Sequence, residues 1–423
     1  MRGGSMSAWL DHGRRARLRG IVLLAACSPT LSFAGGPVHG ARAAAMGTAF
    51  VGLADDASAF AHNPAGLALL GPERQIYGGA TLVMPATDFR NPSGLEESTE
   101  FLAFAPPHLY YLPKASHADW RFGLGVFAPF GVGGRKWSSN GLTRYASTES
   151  LIGTLAVNPT LAGRLAPGLL AGFGLDLMLV KSLSRLRTDQ SLLGAGDGMV
   201  KIKGSGAGLG YNFGLLYAPA EEWSLGAAYR SKIRVRLKGN LHLRNLAPPL
   251  QPLFGGAAFN SDMSSPLTFP DILSFGVAYK GWRNITLTVD AEQIRWSSFR
   301  SQKLNLEREV PPVATDSTTP LRWRNIWTLR AGVELRLSGT TALRAGYAYV
   351  PSPVPERTLS PAAPDGTMHH FSIGAGRKLR DGLALDVFYT VGLAGKRNVE
   401  NAILSGSYRN TNHYAGISIA QAF

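Results

Sequence analysis

From about residue 75 to the end of the chain, apolar side chains recur at every second position, the repeat of a strand with two unlike faces. The clearest run is 223–238. Trp223, Leu225, Ala227, Tyr229, Ile233, Val235 and Leu237 share one parity, and Ser224, Gly226, Ala228, Arg230, Lys232, Arg234, Arg236 and Lys238 the other. Residues 326–337 repeat the pattern, with Trp327, Leu329, Ala331, Val333, Leu335 and Leu337 opposed to Arg330, Glu334 and Arg336. About fourteen such segments are predicted: 75–85, 101–112, 120–130, 150–164, 169–187, 199–217, 223–238, 268–281, 284–299, 323–336, 341–351, 368–379, 383–393 and 408–423.

Alternation alone fits a soluble sandwich with its apolar face inward, or a membrane barrel with that face toward lipid. The connections separate the two. Short links with turn residues (Ala166-Pro167-Gly168, Ser338-Gly339-Thr340, Arg380-Asp381-Gly382) alternate with long ones, 131–149, 188–198, 239–267, 300–322, 352–367 and 394–407. Tight turns at one end and long loops at the other predict an all-β transmembrane barrel of about 14 antiparallel strands. An even strand number closes the sheet and leaves no edge for lipid to face.

Composition sharpens this picture. Only 17% of the 423 residues are charged, yet no apolar run reaches the ~18 residues of a spanning helix, which excludes a helical membrane protein. A single cysteine excludes an internal disulfide and thiolate zinc clusters. The net charge of +15 is partly a leader's: Arg14, Arg15, Arg17 and Arg19 precede apolar Ile21–Ala26, and Ser32-Phe33-Ala34 offers a cleavage site. Residues 1–34 are assigned as an export signal; Leu24-Ala25-Ala26-Cys27 offers the alternative of a lipidated Cys27. Export and interspersed arginines argue against nucleic acid as a partner.

Residues 35–72 break the strand pattern. Gly40–Gly47 is rich in small residues and predicts a helix, Asp55 and Asp56 suit a helix start, and Asn63-Pro64 suits a turn. So short a segment needs packing inside something larger, so it is read as a plug in the lumen of a barrel comprising residues 73–423.

Gly40-Ala41-Arg42, Met46-Gly47, Asp55-Asp56-Ala57 and Asn63-Pro64-Ala65-Gly66-Leu67 resemble the N-terminal hatch of the FadL/TodX-type outer-membrane transporters of long-chain fatty acids and hydrophobic compounds. The resemblance continues at Gly123–Gly131, Trp223–Gly226, Tyr229–Ser231, Leu267–Pro270 and Arg344–Tyr347. It implies a fourteen-stranded barrel plugged by a hatch and localised to the bacterial outer membrane. It also implies passive import of hydrophobic molecules through a surface site, an internal pocket and a lateral exit at a kinked third strand. Pro129, Phe130 and Gly131 match that kink: proline lacks a ladder donor and glycine leaves a gap. Asn63, Pro64 and Ala65 match the hatch motif.

Other site candidates come from chemistry. Leu250, Leu253, Phe254 and Phe259 make loop 239–267 unusually apolar, and exposed apolar surface marks binding sites, although the same residues could pack as a lid. Arg185, Arg187, Arg230 and Arg234 are candidates for a carboxylate headgroup, matched by paired N–H donors; internal ion pairs and lipopolysaccharide phosphates are the competing roles. Phe423, preceded by Ile419 and Ile417, resembles the signal read by the barrel assembly machinery. No catalytic set, cofactor motif or metal spacing is found, so an enzyme is not expected, and the chain is read as a monomer. Import of aromatic hydrocarbons, a barrel enzyme and a general porin are the alternatives.

Overall fold

Leu175, Leu177 and Leu179 point away from the sheet and stay half exposed, while Asp176, Met178 and Val180, between them, are buried. That inversion runs around the molecule: Phe213, Leu225, Phe275, Val289, Leu329, Ile373, Val387 and Ile417 all face outward. Apolar side chains on the outside satisfy lipid, and polar ones inside satisfy each other. The computed structural model describes residues 39–117 and 119–423, so the leader assigned to 1–34, with Cys27, lies outside the described residues.

Fourteen strands among the described residues form the wall: β1 (Gln75–Arg90), β2 (Pro107–Leu112), β3 (Trp120–Phe127, continued by Val132–Lys136), β4 (Glu149–Ala166), β5 (Leu169–Thr188), β6 (Gly198–Ala220), β7 (Trp223–Arg230, continued by Ile233–Arg244), β8 (Ala258–Phe269, continued by Ile272–Trp282), β9 (Ile285–Ile294), β10 (Ile326–Arg336), β11 (Thr341–Val350), β12 (Met368–Lys378), β13 (Leu383–Ala394) and β14 (Gly406–Ala422). All pair antiparallel, and β1 closes on β14 from Gln75↔Ala422 to Arg90↔Ser407. Among the described residues no helix is long and apolar enough to cross a membrane.

The alternation does not run unbroken along β7, and here the structure corrects the sequence reading. In the first half Trp223, Leu225 and Tyr229 face out and Arg230 faces in; in the second half Ile233, Val235 and Leu237 face in, and Arg234, Arg236 and Lys238 face out. From Arg230 to Lys238 β7 advances eight positions, whereas β6 runs only seven, Asn212 to Ser205. The extra residue is a bulge at Ser231-Lys232, and one extra residue reverses every later side chain. Tyr211 and Ser231 hold it, by Ser231 N–H to the Tyr211 carbonyl (2.8 Å) and Tyr211 N–H to Ser231 Oγ (2.9 Å). β8 breaks opposite, at Pro270-Asp271, so Leu267 and Phe269 turn inward beside Val235 and Ile233. Both strands also run further than expected, which shrinks loop 239–267 to residues 245–257.

Residues 39–70 fill the lumen. Helix α1 (Ala41–Ala45), helix α2 (Ala59–His62) and a 3-10 turn (Pro64–Leu69) are joined by tight turns, and nearly all their small side chains are buried. The wall admits them by omitting side chains. A Cβ on Gly226 would lie 2.1 Å from the Val51 carbonyl oxygen, and one on Gly346 would lie 2.0 Å from Gly47 N. Asp55 and Asp56 do not start a helix as expected: Asp55 bonds Arg42 (2.6 Å) and Asp56 accepts from Ser58 (2.6 and 2.8 Å).

Candidate functional site

Four features line up inside the barrel: a lid over its long-loop end, a chamber filled by packed apolar side chains, a break in the wall, and the hatch below. The lid comes from the loop expected to capture cargo. Phe254 and Phe259 are buried with their rings 5.1 Å apart, Arg308 stacks on Phe259, and Leu250 packs against the same cluster. Gln190 stitches the β5–β6 loop to it, donating to the Asn245 carbonyl (2.7 Å) and accepting from Ala247 N–H (2.7 Å). Leu253 and Leu192 remain 54% and 71% exposed. Most of the predicted capture residues therefore close the mouth, and two leucines face outward from it.

Beneath the lid, the inward halves of β7 and β8 make the chamber apolar. Ile233, Val235, Leu237, Leu267 and Phe269 join Phe130, Trp296, Phe299 and Trp323 in one buried cluster. Room for β7 comes from the glycines at 204, 206, 208 and 210, against which Leu237, Val235 and Ile233 rest. Trp296, Phe299 and Trp323 meet with centroids 5.1–6.1 Å apart.

The wall break lies beside that cluster. β3 stops at Phe127 and resumes at Val132, leaving Ala128–Gly131 outside any ladder. Across it, β3 advances five positions (Phe127 to Val132) while β4 advances three (Ala156 to Gly153), so two residues are in excess. Gly131 takes the left-handed conformation (φ 75°) that glycine adopts without penalty. Thr154 secures the bend, its Oγ1 donating to the Gly131 carbonyl (2.9 Å) and accepting from Phe130 N–H (3.3 Å). β2 pairs with β3 only through Leu109–Tyr111. Phe130 turns into the chamber and stacks on Phe269 at 4.8 Å.

Below the break, Pro129 and Phe127 border a cavity of ≈ 50 Å³ between hatch and wall, with a mixed lining that includes His39, His62, Arg230 and Arg330. Burial, with Arg330 and Arg230 nearby, pushes His62 down to about 3, and burial lowers His39 as well, so both rings are neutral.

The four arginines predicted to meet a headgroup are placed differently from one another. Arg230 faces the lumen but is engaged: it pairs with Asp176, donates to the Ala61 carbonyl (3.3 Å) and stacks over Phe127. Arg234 is on the outer surface, a consequence of the bulge. Arg185 and Arg187 share the outward parity of Leu179, and Arg185 pairs with Glu149 at 2.7 Å. Two inward arginines were missed by the pattern: Arg121, held by backbone carbonyls, and Arg135, buried past the break. The neighbours of Arg135, Gly133-Gly134, carry no alternation, so no periodic signal could mark its face; a basic pair, Arg135-Lys136, set between two glycines and Trp137 was the available clue.

The hatch motif is a hinge of hydrogen bonds. Asn63 donates from Nδ2 to Val51 and Leu215 carbonyls (both 2.9 Å) and accepts from Ala65 N–H (3.2 Å). Pro64 opens the 3-10 turn, where its missing N–H costs nothing.

Comparison with known proteins agrees with this architecture. The model of the family described as outer membrane protein transport protein (OMPP1/FadL/TodX) matches residues 25–422. A long-chain fatty acid transport protein of Escherichia coli is 22% identical over 378 residues, covering 81% of this chain and 83% of that protein. The crystal structure of a Pseudomonas aeruginosa FadL homologue superposes with a TM-score of 0.81 at 19% identity, covering 93% of this chain and 100% of its own. The toluene transporter TodX of P. putida gives 0.76 at 19% identity, covering 92% and 99%.

Proposed function

The chain belongs to the OMPP1/FadL/TodX family of outer-membrane transport proteins, and we propose that it imports long-chain fatty acids or similar lipids by surface capture, an internal apolar site and lateral release through the break in β3. The family transports hydrophobic substrates across the outer membrane. The observation that carries the finer reading is the break itself, which lies between the apolar chamber and the hatch cavity, with Phe130 in one and Pro129 in the other. A water-filled pore would not help such cargo, because each buried CH₂ favours an apolar site by ~0.8 kcal/mol. A chamber lined by Trp296, Phe299 and Trp323 offers that site, and a gap in the wall offers a way into lipid without crossing water.

In this reading residues 1–34 are a leader, 35–72 the hatch and 73–423 the barrel. Phe423 would be the residue the assembly machinery reads; its backbone is zipped to Arg74 by two hydrogen bonds (2.9 and 3.1 Å). Lys181, Lys203, Arg236 and Lys238 face outward above the leucine band and suit lipopolysaccharide phosphates.

Import of aromatic hydrocarbons by the same route is the second reading, favoured by the likeness to a toluene transporter. A deletion strain complemented with the gene should regain uptake of labelled fatty acid. Uptake no better than in the empty-vector strain ends the first reading, and gain for toluene alone selects the second. A plugged lumen should give no steady conductance in planar bilayers, whereas a porin would.

A further inference from the structure

We propose that Arg135 is the docking point for the carboxylate of an amphipathic cargo whose tail lies along the apolar chamber; this rests on the import reading above and names its substrate class. Arg135 follows the β3 break by four residues and is only 2% exposed. A guanidinium carries five N–H donors. Three are used: Nε to Thr87 Oγ1 (2.7 Å), one Nη1 donor to the Gly134 carbonyl (2.9 Å) and one Nη2 donor to Asn412 Oδ1 (3.2 Å). One donor on each terminal nitrogen is left, and among the described residues no carboxylate lies within ion-pair distance.

Of the other buried wall arginines, Arg121 also lacks a carboxylate partner, but its terminal nitrogens are taken by the carbonyls of Pro72, Pro113 and Glu73 (3.0–3.1 Å), and the remaining three are charge-matched. Arg230 pairs with Asp176, Arg330 with Glu292, and Arg344 with Glu334 and Asp386. A buried cation without a counter-charge is costly to maintain. A ligand carboxylate would supply that counter-charge through the two free donors, the fork geometry arginine offers best.

The surroundings suit one end of an amphiphile. Arg135 borders a cavity of ≈ 30 Å³ with Asn412 and His370 on its polar side, and Trp296 and Ile326 on its apolar side. Trp296 and Ile326 belong to the chamber cluster that continues to Phe130 at the break. Asp365 also borders the cavity, but its carboxylate accepts from Ser352 (2.6 Å), and Arg397 bonds both that serine (2.7 Å) and the Asp365 carbonyl (3.1 Å). An aromatic hydrocarbon would gain nothing from an unmatched cation here, whereas a carboxylate would.

The test compares oleate with oleyl alcohol, which share a tail and differ in the headgroup, by binding to detergent-purified protein and by uptake in a complemented deletion strain. Arg135→Gln should weaken oleate by at least about tenfold, as expected for losing charged hydrogen bonds, and leave oleyl alcohol unchanged. Arg135→Lys should retain part of the preference, because a point charge replaces the fork. Heat-modifiable migration checks that each variant is a folded barrel. Equal losses for both probes, or no loss for oleate, overturn the assignment while import stands. If the wild-type protein takes up neither probe, the import reading falls and this one with it.

Discussion

Asn63 of the hatch donates to the carbonyl of Leu215, 152 positions later in β6, at 2.9 Å, and to the Val51 carbonyl within the hatch at the same distance. One amide group thus ties the plug to the wall and to itself. Asn63→Ala removes both of these buried hydrogen bonds, a loss of roughly 0.5–1.5 kcal/mol each. The barrel should still form, since no wall hydrogen bond is removed. Protease sensitivity of residues 39–70 in the purified protein should rise, and the midpoint of thermal unfolding in detergent should fall. A variant with wild-type protection would mean that the tie is incidental.

A second tie is ionic. Glu334 accepts from Arg42 of the hatch (2.9 Å) and from Arg344 of the neighbouring strand (2.7 Å), and Arg344 also meets Asp386 (2.7 Å). All four groups are largely buried, so removing the shared carboxylate leaves two cations short of a partner. Because Arg42 keeps Asp55 and Arg344 keeps Asp386, Glu334→Gln should cost roughly 1.5–3 kcal/mol, the range for a hydrogen bond to a charged group. Denaturant unfolding in detergent measures it, and Glu334→Asp should recover part of the loss.

Much of the barrel was legible in the sequence. The period-two pattern located all fourteen strands because lipid imposes one rule on every outward position, and Leu329 against Arg330 or Val289 against Asp290 obey it. The rule failed where a single residue is inserted. Nothing in the Ser231-Lys232 pair distinguishes a bulge from a continuing strand, because Ile233, Val235 and Leu237 are as suited to lipid as to a greasy chamber. For the same reason Arg234 read as lumenal. Pro129 and Gly131 were visible because their backbone chemistry is unusual whatever surrounds them. Arg135 was not, since its burial depends on Thr87 and Asn412, which are remote in sequence.

The hatch should make the fold acid-sensitive. His62 packs between Phe50 (5.6 Å) and His39 (5.9 Å). Burial, then Arg330 and Arg230, hold it down to about 3, against about 6.5 in an unfolded chain. Between those values the unfolded chain binds a proton that the folded hatch refuses, so stability falls as pH falls through that window and is unaffected by this group above it. His62→Gln should flatten the dependence of the unfolding midpoint between pH ~6.5 and ~3, the range bounded by those two values. His39, also lowered by burial, remains in the variant, so the slope should shrink without vanishing. An unchanged slope would show that His62 titrates normally.

Lateral release can be tested by length alone. β3 carries two residues more than β4 between Phe127↔Ala156 and Val132↔Gly153. Excising Pro129 and Phe130 removes that excess and also the residue without an N–H. Because two residues is a full strand repeat, Phe127 and Arg135 keep their inward faces. The ladder can then run through, and reopening it against lipid means breaking backbone hydrogen bonds worth about 0.5–1.5 kcal/mol each even in water. Two such bonds suffice to lower the open population by roughly tenfold. Uptake of labelled cargo should therefore fall by about that factor or more. Pro129→Ala, which keeps both excess residues, should leave the break and most uptake in place. Normal uptake by the shortened barrel would mean that cargo leaves by another path, and the break would then be only a bend that lets Trp137 reach the Pro361 carbonyl (2.9 Å).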